Sequence, residues 1–184
     1  MKADKEVVLV AVSNDWHALE HAAEELKSDR QVILAAVHQD GRAFGYAQPD
    51  LKSDRGLVLD AVATDWRALA HASLALRSDP EVVLAALRQD EQALQYAGAQ
   101  LGADRQFLLE AMRFNRLAFE LAVPELLGDR GFVMEAVRRN GQALRCAALE
   151  LKSDREVVLA AVQQCGGALE HAAPELRADR GFVF

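Results

Sequence analysis

Asp4, Asp29, Asp54, Asp79, Asp104, Asp129, Asp154 and Asp179 recur every 25 residues without one insertion or deletion. A period of that length, held that strictly, confines the chain to architectures that stack one short supersecondary unit on copies of itself. Seven full units occupy 4–28, 29–53, 54–78, 79–103, 104–128, 129–153 and 154–178, with a partial unit at 179–184, so that 1–184 reads as a single repeat array. With Asp as position 1, the template is D-R-x-V-V-L-x-A-V-x-x-D/N-G-x-A-L-x-H/Y-A-x-x-E-L-K-S. Position 8 is alanine in every full unit, from Ala11 to Ala161. Positions 15 (Ala18 to Ala168) and 19 (Ala22 to Ala172) are alanine too, and position 23 is leucine from Leu26 to Leu176. Identity repeated within one chain marks one packing contact made again and again.

The first half of each unit reads as a helix. Asp at position 1 can accept hydrogen bonds from the otherwise unpaired N–H groups of the first turn, and Pro80 directly after Asp79 is a first-turn proline. Apolar residues at positions 4, 5, 6, 8 and 9 give a wide buried face, which leaves positions 3, 7, 10 and 11 to solvent. Asp40-Gly41 and Asn140-Gly141 stand at positions 12 and 13 as a stop or tight corner. A second, shorter helix then carries A-L-x-x-A. Pro49, Pro124 and Pro174 at position 21 end it, and the P-E-L segment is expected to turn, as one 3₁₀ turn, into the next cap. Neither helix would be stable alone in water, so the stack is the folding unit. The three–four apolar spacing and the Ala, Leu and Glu content exclude a strand reading, and no heptad survives the glycine and proline corners. The fold class is therefore all-α, an α-solenoid of seven two-helix repeats.

Charge and length narrow the function. Twenty-eight acidic against twenty-one basic residues leave a formal charge of −7, which argues against nucleic-acid binding. Apolar runs such as Val7 to Val12 fall far short of the ~20 residues that span a bilayer, and no secretory leader is visible. Two cysteines, Cys146 and Cys165, make no disulfide framework; an intracellular, soluble protein fits, with both thiols buried or incidental.

The phrase D-R-E-V-V-L-A-A-V-x-Q at Asp154 to Gln164, followed by G-x-A-L-E-H-A-x-x-E-L, resembles the repeat of the domain-of-unknown-function family four-one-one-six over essentially the whole chain. More loosely, a short helix pair with this opening is similar to leucine-rich variant repeats, which implies a right-handed superhelix. The resemblance implies a repeat scaffold and brings no catalytic residue with it.

Candidate chemistry is sparse. His17-Ala18-Leu19-Glu20-His21 matches the H-x-x-E-H of a zinc protease class, where two histidines four apart on an α-helix face one metal. Yet Glu20-His21 only fills positions 17 and 18 of the template, as Glu170-His171 does with Gly167 in place of the first histidine. No catalytic residue, cofactor or metal site is expected, and the chain is read as no enzyme. Position 18 runs His21, Tyr46, His71, Tyr96, Leu121, Cys146, His171, a row best read as half-buried rings packing on the next unit. Basic residues at position 2 and at position 24 are expected to form ion-pair ladders, the latter with the acids two positions earlier, Glu25, Asp50, Glu150 and Glu175.

Variation concentrates at positions 7, 10, 11, 13, 14 and 17. The fifth unit diverges most, with Phe114, Arg116, Leu117, Leu121 and Leu127 replacing polar or small residues. Phe114, Arg116, Leu117 and Leu121, together with Trp16 and Trp66 at position 13, are the candidate contacts for a protein or peptide partner; no nucleic acid and no membrane is expected. The alternative is a structural spacer or self-assembling array with no dedicated ligand. Because Met1-Lys2-Ala3 enters a full unit with no capping helix and the sequence stops half-way through a first helix with its apolar residues, Phe182 and Phe184 among them, in place, it reads as an excerpt of a longer array or as one whose ends self-associate.

Overall fold

The computed structural model describes residues 5–178, and every regular element among them is helical. Asp179 to Phe184, with the partial unit and the expectations placed on Phe182 and Phe184, lie outside the described residues. The chain is an all-α repeat solenoid that divides into two compact units, Met1–Gly98 and Ala99–Phe184. In the first, the helices Lys5–Asn14, Arg30–Val37, Arg55–Thr64 and Pro80–Leu87 pack in file, each on its equivalent in the next repeat. In the second, Arg105–Ala111, Arg130–Arg139 and Arg155–Gln164 do the same.

Each repeat holds three helical pieces, and the sequence expectation for the last two is reversed. Positions 13–18 form a 3₁₀ helix (Gly41–Tyr46, Trp66–His71, Gly141–Cys146), not an α-helix. Positions 21–24 form one α-helical turn (Pro49–Lys52, Pro124–Leu127, Leu149–Lys152) rather than a 3₁₀ turn, except in repeat 4, where Ala99–Ala103 is the expected 3₁₀ helix. The proline at position 21 does not terminate a helix but begins one: it sits at the first helical position, where its missing N–H costs nothing. The residue at position 12 is likewise more than a corner. Asp40 accepts from the Arg42 N–H at 2.8 Å, Asp65 from Arg67 at 2.9 Å and Asp90 from Gln92 at 2.8 Å, so each caps the 3₁₀ helix that follows. Position 1 caps the first helix as expected: Asp29 accepts from Gln31 and Val32, and Asp154 from Glu156 and Val157.

Burial follows the template. Positions 4, 5 and 8 of repeats 2 to 7 are buried throughout, including Ala36, Ala61, Ala86, Ala111, Ala136 and Ala161 with no exposed surface. Positions 6 and 7 depart from expectation: Leu34, Leu59, Leu84 and Met134 are half-buried and Leu159 is exposed rather than buried, while Ala85 is half-buried rather than exposed, so the two positions share the edge of a buried face made by positions 4, 5, 8 and 9. Ala86→Leu is expected to cost about 1–3 kcal/mol by forcing stacked helices apart, whereas Arg88→Leu, on the exposed side, should stay within about 0.5 kcal/mol. Urea melts of the two variants with equal midpoints would show the facing to be wrong.

Three sets of polar contacts tie each repeat to the next. The N–H at position 20 donates to the carbonyl at position 24 of the preceding repeat: Gln48 to Lys27 at 3.1 Å, Ser73 to Lys52 at 2.9 Å, Gly98 to Arg77 at 2.7 Å, Val123 to Gly102 at 2.9 Å, Ala148 to Leu127 at 2.9 Å and Ala173 to Lys152 at 2.9 Å. The base at position 2 pairs with the capping Asp of the next repeat. Lys5 meets Asp29 at 2.6 Å, Arg55 meets Asp79 at 2.8 Å and Arg130 meets Asp154 at 2.7 Å, and Arg55 and Arg130 each also engage an acid at position 3 of that repeat, Glu81 and Glu156. Burial pushes the Asp79 carboxyl up, but Arg55 and the amides of Val82 and Glu81 outweigh it and hold the group below the usual carboxylate range. Position 24 does not follow its expected pairing. Lys27 meets Glu24, three residues back, at 2.9 Å, and Lys52 turns inward to donate to the Gly45 carbonyl at 2.6 Å.

The third set lies at position 13, where the N–H of Gly41 donates to Asp65 at 2.8 Å and that of Gly141 to Gln164 at 2.5 Å. Gly141 is needed there for close approach: a Cβ would lie 2.3 Å from the Ala161 carbonyl oxygen. Gly166 occupies the same template position with nothing within 4 Å of its would-be Cβ. Gly141→Ala should therefore destabilise by about 1–3 kcal/mol, while Gly166→Ala should stabilise by about 0.4–1 kcal/mol through the unfolded chain. Opposite shifts in melting midpoint are the expected result, and a common sign would refute the close approach.

Candidate functional site

The invariant residues are consumed by packing, so any site must be built from the variable, exposed positions. Among the described residues several of those positions, Arg138 and Gln163 among them, line an open groove of about 490 Å³, and others line a pair of adjoining open grooves on the 3₁₀ side of repeats 5 to 7. The larger of the pair, about 400 Å³, is lined by Arg113, Arg116 and Arg139, by the carboxamides of Asn140, Gln142 and Gln164, and by Met112 and Cys165. The smaller, about 250 Å³, shares Arg116, Asn140 and Gln142 and adds Leu117, Glu120, Arg145 and Cys146.

The caps explain how these side chains come together. Asn115 accepts from the Leu117 N–H at 2.8 Å and Asn140 from the Gln142 N–H at 3.2 Å, so the 3₁₀ helices Arg116–Leu121 and Gly141–Cys146 both start at the groove edge. Gln142 is fixed at both ends of its amide: Nε2 donates to Cys165 Sγ at 3.6 Å, and Oε1 lies 2.9 Å from His171 Nε2. Gln164 is fixed by accepting from Gly141. Arg113 is steadied by Glu110 at 2.7 Å, and Arg139 by Glu135 at 2.9 Å and by the Leu109 carbonyl; neither acid lines the groove. Arg116 has no carboxylate partner among the described residues.

Cys165 takes the place of the capping Asp or Asn at position 12 and makes no side-chain cap. Its thiol is held below the usual range by the Gln142 hydrogen bond and then by the backbone N–H of Gly167, against an opposing effect of burial, with lesser help from the Ala168 N–H and the charge of Arg116. Both cysteines are half-buried, and each lines one of the grooves.

The six predicted contact residues fare unequally. Arg116 and Leu117 are exposed, Leu117 at 56%, and both line the grooves. Phe114 and Leu121 are half-buried, and neither lines a groove of this pair. Trp16 and Trp66 belong to the first unit and are half-buried against neighbours. Trp16 stacks on His17 with centroids 3.8 Å apart and lies 6.1 Å from Tyr46, with Arg42 over its ring at 5.8 Å. Trp66 lies 6.2 Å from Tyr96, with Arg67 over its ring at 5.4 Å. A guanidinium already covers each indole, which leaves less ring for a partner.

Sequence reading overlooked Arg113, Arg139, Gln142 and Gln164. The available signal was the run of arginines at positions 10 and 11 of repeats 5 and 6 (Arg113, Arg138, Arg139), where the first repeats carry Ser13, Asn14, His38 and Gln39.

The remaining motifs have structural roles. His17, Glu20 and His21 stand on a 3₁₀ helix, where residues three apart eclipse, so the two histidines do not share a face as they would on an α-helix. His17 Nδ1 meets Asp15 at 2.7 Å instead. The row at position 18 is half-buried from Tyr46 to His171, while His21 is exposed. His71 presses on Gly45, and burial, aided by the charge of Lys52, keeps its imidazole below the usual range. Among the described residues no three His, Cys, Asp or Glu side chains gather as metal ligands, and no helix is long and apolar enough to cross a membrane.

Comparison with known proteins adds one finding. A family model described as "Domain of unknown function (DUF4116)" matches residues 4–52, 54–101, 104–152, 129–177 and 154–184. No curated protein and no solved structure matches the chain.

Proposed function

We propose that this chain, which belongs to the DUF4116 family, is a non-catalytic repeat scaffold that binds a protein or peptide. One observation carries the reading: variable residues of repeats 5 to 7, Arg116 and Leu117 among them, line two open, adjoining grooves, while the alanines repeated at positions 8 and 15 of repeats 2 to 7 are buried. A solenoid typically presents its variable residues in this way for recognition, since its stability resides in the repeated contacts between neighbours. The grooves join exposed guanidiniums to the exposed Leu117 side chain, a mixture suited to a peptide bearing both charge and an apolar anchor. The alternative, a structural spacer without a dedicated ligand, is favoured by the recurrence of the position 20 to position 24 bonds and the ion-pair ladder, which serve continuity alone.

Selection of a random peptide library displayed on phage separates the two. The binding module should enrich sequences that bind this chain and lose affinity for Leu117→Asp. A spacer should enrich nothing above background, and that outcome would remove the proposal.

A further inference from the structure

We infer that the groove lined by Arg113, Arg116 and Arg139 is a receptor for an acidic linear peptide, with carboxylates held by these three guanidiniums and an adjacent apolar side chain placed against Leu117. This assignment rests on the peptide-binding reading above and specifies its ligand.

Charge complementarity is the first argument. The chain carries a formal charge of −7, yet the wall of this groove holds three guanidiniums and no acidic side chain. A concave surface of one sign focuses potential and raises the local concentration of opposite charge. The carboxylates that steady Arg113 and Arg139, Glu110 and Glu135, sit within their own first helices, three and four residues away in sequence. Such exposed pairs contribute little energy but fix a direction, and each guanidinium keeps further N–H donors available. Arg116, exposed and without a carboxylate of its own, is the member with most to gain from one.

Preorganisation is the second argument. Gln142 is held between Cys165 and His171, and Gln164 is held by the Gly141 N–H, so the groove floor does not have to be ordered by the ligand. Carboxamides beside guanidiniums suit an extended peptide, whose backbone needs donors and acceptors while its side-chain carboxylates take the charged sites. The net negative charge of the whole chain disfavours a long polyanion, which would have to approach the acidic surface beyond the groove. A short segment with two or three carboxylates avoids that repulsion.

The test is fluorescence anisotropy with a tetramethylrhodamine-labelled heptapeptide, Gly-Asp-Leu-Glu-Glu-Leu-Gly, against its uncharged counterpart Gly-Asn-Leu-Gln-Gln-Leu-Gly. The acidic peptide should bind at least about ten-fold more tightly than the neutral one, and Arg116→Glu should weaken it by at least about ten-fold, as expected for loss of a charge-assisted bidentate contact. Arg88→Glu, exposed in the first unit, should leave binding unchanged. Because Arg116 pairs with no carboxylate among the described residues, its variant should melt with the parent. Site-resolved mass spectrometry gives a second readout: saturating acidic peptide should slow iodoacetamide labelling of Cys165. Equal affinities for the two peptides, binding unaltered by Arg116→Glu, or tighter binding of an oligothymidylate 12-mer would each overturn the assignment. If phage selection still yields neutral peptides sensitive to Leu117→Asp, only the acidic assignment falls; if neither experiment yields a ligand, both readings fall.

Discussion

Phe132→Ala is expected to cost about 3–5 kcal/mol, the range for deleting a fully buried phenylalanine, and to lower the urea midpoint of the second unit accordingly. Phe132 has no exposed surface, and its ring stacks on Phe119 with centroids 5.2 Å apart and planes 19° from parallel. The pair joins position 16 of repeat 5 to position 4 of repeat 6, so it closes one repeat on the next. Truncation removes the transfer energy of the ring, leaves a cavity, and forfeits about 0.5–1.5 kcal/mol of aromatic pairing. Arg105 lies over the same ring, 5.6 Å from its centroid, while also bonding Asp129, so part of the ion-pair ladder rests on the aromatic surface. Phe132→Val, the residue that Val32, Val82 and Val157 supply at this position, should cost less than alanine but more than nothing, because Phe119 still faces a space shaped for a ring. Amide hydrogen exchange should show lost protection concentrated in repeats 5 and 6. A variant within about 1 kcal/mol of the parent would mean that this inter-repeat stack contributes no more than an ordinary surface contact.

The depth to which the sequence was legible tracks how often it repeats a statement. Position 8 says alanine in every full unit, and its burial needed no structure. The capping Asp at position 1 was equally plain, since a short acceptor ahead of an apolar helical face has few other uses. What repetition could not distinguish was two helix types built from the same residues. Six residues are too few for the 3.0 and 3.6 periods to diverge visibly, so the 3₁₀ identity of positions 13–18 was hidden. Pro49, Pro124 and Pro174 were compatible with ending one helix or beginning another, and only the backbone decides between them. The grooves were hidden for a different reason: they are made of departures from the template. Leu117 and Arg116 were visible as departures because they change polarity or size. Arg113, Arg139 and Gln142 were not, because one polar residue replacing another at an exposed position resembles drift until the folded chain brings the three to one wall.

Two adjacent residues provide a test of the bond that no side chain encodes. Ala148→Pro is expected to destabilise by about 3 kcal/mol, whereas Leu149→Pro should be neutral or stabilise by up to about 1 kcal/mol. Ala148 has φ −57° and ψ 154°, and Ala147 before it has φ −59° and ψ 152°. Both suit a proline and the residue that precedes one, so the ring itself imposes no backbone strain. What the substitution removes is the N–H that donates to the Leu127 carbonyl at 2.9 Å, and it sets the ring Cδ against that oxygen. Lost bond and steric clash are the same two faults that make an interior helical proline costly. At Leu149 the geometry is the reverse. It is the first residue of its α-helical turn, 76% exposed, with an N–H that has no acceptor within the helix, and it aligns with Pro49, Pro124 and Pro174. Position 20 varies in side chain, through Ala23, Gln48, Ser73, Gly98, Val123, Ala148 and Ala173, because the contact that recurs there is made by the backbone, to which Gln48 and Ser73 add side-chain bonds of their own. Proline follows it in three repeats and never occupies it. Matched urea melts of the two proline variants are the measurement. Equal midpoints would mean that the position 20 to position 24 bond does not hold neighbouring repeats together.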